Sequence, residues 1–136
     1  MADTPTSLRV VVVTPERAEL DVPATSVVLP MFDGERGILT GHSAFVGQLA
    51  PGELRIANGT QTTRYFIDGG FAQVAGGVVN VLTAKAIPAN LVLSATATAA
   101  RAVADALPSN NPAEREARTK AVARAQGMEA VARNNA

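Results

Sequence analysis

Short β-branched runs, each cut off by a turn signal within eight to twelve residues, fill the first two-thirds of this 136-residue chain. An antiparallel sandwich or barrel is the fold that accommodates such a pattern. Residues 8–14 carry Val10 to Val13 and are closed by Pro15, which reads as a strand buried on both faces or nearly so. Residues 16–20 alternate more weakly and suit a short second strand, and residues 24–29 form a third, stopped by Pro30. There is room for further strands at residues 37–39 and 45–49. Pro51-Gly52 is a turn signal, with Pro setting φ at the first corner and Gly supplying positive φ at the second. It launches residues 53–57, and Asn58-Gly59 reads as a tight hairpin into residues 62–67. There Arg64, Phe66 and Asp68 face one way, Tyr65 and Ile67 the other. Asp68-Gly69-Gly70 reads as another turn, residues 71–74 pair back, and Gly76-Gly77 makes a last hairpin into residues 78–82.

After Leu93 the period changes. Ala95, Ala99, Ala102, Val103 and Ala106 recur at helical spacing, with Ser94 as N-cap. Pro108-Ser109-Asn110-Asn111-Pro112 breaks this helix and starts a second, for which Asn111 can cap, Pro112 fits the first helical position and Glu114 completes a capping box. The second helix offers i,i+4 pairs Glu114–Arg118, Glu116–Lys120 and Glu129–Arg133, each contributing about 0.2–0.5 kcal/mol. Its apolar stripe, Ala117, Ala121, Ala125, Met128 and Ala132, is narrow, and Gly127 inside it costs about 1 kcal/mol. The expected architecture is an all-β sandwich of about ten antiparallel strands over residues 1–88, followed over residues 89–136 by an antiparallel two-helix hairpin. Little buried area holds the hairpin on, so it is expected to detach.

Composition narrows the function. Net charge is zero, which gives no general drive toward nucleic acid or an anionic membrane. With one Tyr, no Trp and four Phe there is no aromatic platform for bases. The absence of cysteine excludes a disulfide scaffold and thiolate metal sites. Residues 1–5 carry no basic segment followed by an apolar run, so no secretory signal is expected, and no apolar run reaches the roughly 18 residues of a spanning helix. Charge is nonetheless uneven, with six basic and eight acidic residues before position 94 and six basic and four acidic after it. Arg115, Arg118, Lys120 and Arg124 make the second helix basic, which suits an acidic partner surface.

Residues 30–54 gather five glycines, the only histidine and a charged cluster. His42 beside Asp33 and Glu35 invites a catalytic or metal reading. A metal site needs at least three convergent ligands, and one His without Cys does not supply them. Ser43 cannot pair with His42 as a nucleophile, because adjacent residues on an extended chain point to opposite faces. Gly34-Glu35-Arg36-Gly37 lacks the Lys-Ser/Thr of a phosphate loop. The glycines read as turn geometry and the charges as a contact surface. A free-standing ligand-binding sandwich and an enzyme centred on His42 are the rival readings.

The order of motifs resembles the epsilon subunit of F-type ATP synthases, called delta in mitochondria. Gly34-Glu35-Arg36-Gly37-Ile38, Gly41-His42-Ser43-Ala44-Phe45, Leu49-Ala50-Pro51-Gly52-Glu53-Leu54, Gly69-Gly70-Phe71-Ala72-Gln73-Val74 and residues 79–86 follow the family's pattern. Val13-Thr14-Pro15-Glu16-Arg17 is similar to its opening strand and turn. The resemblance implies a ten-stranded sandwich at the foot of the central stalk, a non-catalytic rotor part without cofactor or metal. It implies binding to the gamma subunit and the c-ring, with Glu35, Gly41 and His42 at the c-ring contact. It also implies a peripheral place on the cytoplasmic face of a bacterial inner membrane, and C-terminal helices that can inhibit ATP hydrolysis. Arg115, Arg118, Lys120 and Arg124 are then candidates for contact with the catalytic beta subunit. Ala44-Phe45 stands where the family has Pro-Leu. The nucleotide-sensing motif is not intact: Leu93-Ser94-Ala95-Thr96-Ala97 lacks its Asp and Arg, and the register that places Arg101-Ala102 has Thr98 where the Asp belongs. No tight ATP binding by the isolated subunit is expected.

Overall fold

A computed structural model describes residues 8–135, so the expectation about residues 1–5 lies outside it. The β strands are β1 (Leu8–Val13), β2 (Ala18–Ala24), β3 (Ser26–Met31), β4 (Gly34–Leu39), β5 (Phe45–Asn58), β6 (Gln61–Ala75), β7 (Val78–Leu82) and β8 (Ala86–Pro88). A 3-10 turn at Ala89–Leu91 leads to α1 (Ser94–Asp105) and α2 (Pro112–Arg133). The strands run in the order β2-β1-β7-β6-β5-β3-β4, with β8 also beside β6.

The sandwich-plus-hairpin architecture is as read from the sequence, but with eight strands among the described residues. The difference lies in β5 and β6, which absorb segments that had looked separate. They pair without slippage from Phe45↔Val74 to Asn58↔Gln61, straight through Pro51-Gly52 and Gly69-Gly70. Neither dipeptide reverses the chain. Gly69 and Gly70 do take positive φ, 71° and 112°, and Gly70 lies so close to β7 that a Cβ would come within 1.9 Å of the Leu82 carbonyl oxygen. On one side of this point β6 pairs with β8, on the other with β7. The glycines therefore bend a continuous ribbon between neighbours instead of ending it. Pro30 likewise does not stop β3, which continues to Met31.

One pair, β1–β7, is parallel where all-antiparallel pairing was expected. Two-residue hairpin turns fall at Phe32-Asp33, Gly59-Thr60 and Gly76-Gly77, and φ of 56° and 78° at the last pair is the twin positive φ that such a hairpin favours. In β1 only Leu8, Val10 and Val12 are buried, so the strand has one core face, not two. An unbroken valine run cannot reveal that by itself. These residues join Val27, Leu29, Ile38, Leu54, Ile56, Ile67, Val74, Val79 and Val81 in the main core. Each contributes about 1.5–3 kcal/mol of apolar burial.

The second core lies between the sheet's outer face and α2. Phe66, Ala89, Val92, Val131 and Ala132 form it, with Ile87 and Met128 at its margin. The expected facing of β6 holds: Ile67 and Tyr65 point to the main core, Phe66 toward α2. Along α2 the buried positions are Ala125, Gly127, Val131 and Ala132, while Ala117 is exposed. Gly127 has a packing reason to be there. A Cβ on it would sit 2.7 Å from the Pro51 carbonyl oxygen, so its cost in helix propensity is the condition for close seating on β5.

In α1 the buried residues are Ala97 and Ala104, and the stripe Ala95, Ala99, Ala102, Val103 and Ala106 faces solvent. Alanine occurs all round this helix, so periodicity had no contrast to select a face. Ser94 is the first helical residue and Leu93 the cap, without a side-chain bond. In α2 the expected cap is present: Asn111 Oδ1 accepts from the Glu114 amide at 2.9 Å, and Asn111 Nδ2 donates to Glu114 Oε1 at 2.9 Å. Engaged there, Glu114 forms no ion pair with Arg118. Glu116–Lys120 does form, at 3.2 Å. Glu129 turns from Arg133 to Arg101 of α1 at 3.0 Å, tying the helices together.

Candidate functional site

The glycine-rich stretch folds as β4 and the turn that follows. Gly41 at φ 87° lets the His42 amide return to the Leu39 carbonyl at 3.1 Å. His42 then packs on Phe45, ring centroids 5.3 Å apart, and its Nδ1 donates to the Ser43 carbonyl at 2.8 Å. The Arg36 guanidinium lies 4.7 Å from the centroid of the same Phe45 ring, a cation–π contact. Phe45 thus supplies the platform on which the Arg36 guanidinium and the His42 ring both rest.

Successive side chains of β4 point to opposite faces. Arg36 reaches Phe45, whereas Glu35 reaches Arg55 on the other side, at 3.2 Å. The structure therefore brings His42 together with Arg36 and Phe45, and does not join it to Asp33 or Glu35. Asp33 is exposed in the β3–β4 turn. Among the described residues no three His, Cys, Asp or Glu side chains converge as a metal site. What the arrangement offers is an exposed edge, in which Phe32 and Val46 are 72% and 70% exposed beside Arg36 and His42.

Arg115, Arg118, Lys120 and Arg124 of α2 are all engaged within the chain. Arg115 and Arg118 donate to the carbonyls of Ser109 and Asp105 at the hairpin tip, at 3.4 and 3.3 Å. Lys120 pairs with Glu116. Arg124 alone reaches the sandwich, where it meets Asp68 at 2.9 Å. Arg101 is held by Asp105 and Glu129; hydrogen bonds to Glu129 and then Asp105 raise its pKa above the ordinary arginine value.

Sequence reasoning missed a polar cluster under the end of α2. Glu53 of β5 is only 7% exposed. It accepts from Arg64 Nε at 3.0 Å, from Arg55 Nη1 at 3.2 Å and from Asn134 Nδ2 at 3.2 Å. Burial opposes ionisation of its carboxyl, but hydrogen bonds from Arg64, Asn134 and Arg55 outweigh that and hold it below the usual carboxylate range. The one available signal was the placement of Arg64 on the same strand face as Phe66. Its partner lay on a different strand.

Fold and site together define a β-sandwich subunit with a C-terminal helical hairpin, one that presents contact surfaces. A family model described as the ATP synthase delta/epsilon chain β-sandwich domain matches residues 7–89. The chain is 49% identical over 122 residues to the ATP synthase epsilon chain of Rhodopirellula baltica, a match covering 90% of this chain and 95% of that one. It is 39% identical over 88 residues to the mitochondrial ATP synthase subunit delta' of Pisum sativum, covering 63% of this chain and 45% of that one. A chain in the cryo-EM structure of the Euglena gracilis mitochondrial ATP synthase superposes with a TM-score of 0.84 at 29% identity, covering 95% of this chain and 83% of that one. The chain belongs to the ATP synthase delta/epsilon family. It is an epsilon-type, non-catalytic subunit of an F-type ATP synthase, and with that the readings as a His42 enzyme and as a free-standing ligand-binding module are set aside. No described helix is long and apolar enough to cross a membrane.

Proposed function

We propose that this subunit is part of the rotor, coupling c-ring rotation to the catalytic head through gamma. The complex then holds it at the cytoplasmic face of a bacterial inner membrane. Glu35, Gly41 and His42 belong to the edge that meets the c-ring loops, each in a different way. Gly41 sets the turn, His42 rests on Phe45, and Glu35 is oriented by Arg55. The hairpin, residues 89–136, is the separable part and inhibits ATP hydrolysis when it leaves the sandwich. Arg115, Arg118, Lys120 and Arg124 then exchange their present partners for acidic groups of the catalytic beta subunit.

The observation that carries this reading is that likeness to an epsilon chain runs through the hairpin as well as the sandwich. The isolated subunit binds no ATP tightly, which is consistent with the pairing of Arg101 to two carboxylates. Deleting residues 94–136 raises the ATP hydrolysis rate of the assembled complex, and an unchanged rate removes the inhibitory role. Affinity purification from solubilised membranes recovers gamma and c subunits with the truncated chain. Loss of both would instead end the rotor reading.

A further inference from the structure

Any swing of the hairpin must be taken up in residues 89–93, a single 3-10 turn and a short extended link. Asn135, just past α2, closes this joint from the far end of the hairpin. Its Nδ2 donates to the Ala89 carbonyl at 2.6 Å and to the Val92 carbonyl at 3.3 Å. Its Oδ1 accepts from Arg64 Nη1 at 2.7 Å. The Arg64 Nη2 donates to the Val131 carbonyl at 3.1 Å and to the Glu53 carboxylate, which also accepts from Asn134. One cluster thus joins β5, β6, the joint and the end of α2.

The rest of the hairpin has a weaker hold. All buried positions of α2 lie between Ala125 and Ala132, and α1 packs chiefly on α2. Among the described residues, α2 is tied to the sandwich toward its tip by the single Arg124–Asp68 bond, between a half-exposed arginine and a nearly buried carboxylate, whereas the joint end is held by several bonds. Release at this end breaks the Asn134 bond to the nearly buried Glu53 carboxylate and all three Asn135 bonds, while Arg55 and Arg64 stay with Glu53 on the sandwich.

We propose that Glu53, Arg64, Asn134 and Asn135 form a latch across the joint at residues 89–93, and that the hairpin is released from this end, its tip following. The latch rests on the reading above only in that the hairpin is a movable part. Two neutral amides supply the hairpin's share of side-chain contacts in the latch, so the docked fraction is set by side chains distinct from the four basic residues assigned to the beta subunit.

The test uses the full chain with Asn134→Ala and Asn135→Ala together. Both positions are exposed overall and outside the main core, so the sandwich still folds. Because the chain has no cysteine, Thr60→Cys and Ala113→Cys place one spin label on the sandwich and one near the hairpin tip. The double substitution raises the population at a second, altered label separation about tenfold, the scale expected for losing charge-assisted bonds. Asn110→Ala at the tip leaves the distribution as in the parent. A distribution superimposable on the parent's in the Asn134/Asn135 variant overturns the latch. If the variant opens while ATP hydrolysis by the reassembled complex is unchanged, the latch stands and the inhibitory reading fails.

Discussion

A methyl group at Gly127 acts differently on the docked and the released hairpin. In any helix interior Gly→Ala gains about 1 kcal/mol of propensity, and that gain is shared by both states, so it cancels from the docking equilibrium. The clash is not shared. The new Cβ would lie 2.7 Å from the Pro51 oxygen, 2.8 Å from the Pro51 carbon and 3.1 Å from the Gly52 nitrogen. All three are backbone atoms of β5, which β6 holds in register there, so no side chain can turn aside. Relief requires α2 to lift by several tenths of an ångström, which draws Val131 and Ala132 away from Phe66. Overpacking of this kind costs about 1–3 kcal/mol. Docking should weaken by about 5- to 150-fold while the helix itself becomes more stable, at 1.4 kcal/mol per tenfold change. NMR of the full chain reads both at once. In Gly127→Ala, Val131 and Phe66 resonances move toward those of a released hairpin, and helical carbon shifts persist over residues 112–133. Gln126→Ala, at an exposed neighbour, keeps the docked spectrum. If Gly127→Ala leaves Val131 and Phe66 unmoved, the close seating on Pro51 is not what the glycine provides.

Gly70→Ala should destabilise the sandwich by about 3–5 kcal/mol, combining the positive-φ penalty with overpacking. Its Cβ would meet the Leu82 carbonyl oxygen, whereas Gly37→Ala, with open space around it and an ordinary φ, stays near the parent melting temperature. A Gly70→Ala melt within two or so degrees of the parent would contradict the close approach. Acid dependence follows from Glu53, whose folded pKa lies below its usual 4.5. Its contribution is therefore complete above about pH 4.5 and lost as pH falls through the lower folded value. Glu53→Gln should flatten the fall in stability below pH 4.5 relative to the parent, and an unchanged slope would assign acid sensitivity elsewhere, with Asp21 beside Arg9 the next candidate.

Local chemistry carried the fold a long way. The capping of α2 by Asn111, the Gly76-Gly77 hairpin and the alternation of Arg64 to Asp68 are properties of a few adjacent residues, and each could be read directly. The errors fall where two distant segments decide the outcome. Pro51-Gly52 satisfies a turn locally, yet β6 pairs across it without a break, and ladder hydrogen bonds override the turn preference. The face of α1 is the one that packs Ala97 and Ala104 toward α2, with Arg101 meeting Glu129 beside them, information absent from an alanine-rich helix alone. At the edge, the glycines and His42 were visible, but the division between Glu35 and Arg36 appears only once β4 is paired. The Glu53 cluster was out of reach for the same reason, since its members span residues 53 to 135.

The constant register of β5 with β6 also fixes a distance, although the pairing of β5 with β3 shifts between Val28 and Met31. Phe45, under His42 and Arg36, begins the strand, and Pro51, under Gly127, lies six residues along it, about 20 Å at the usual rise. Edge and hairpin seat are thus two stations on one strand, joined without an intervening loop. One strand therefore carries both the edge residue and the residue that seats the helix, and the irregular pairing on its β3 side lies at the seat itself.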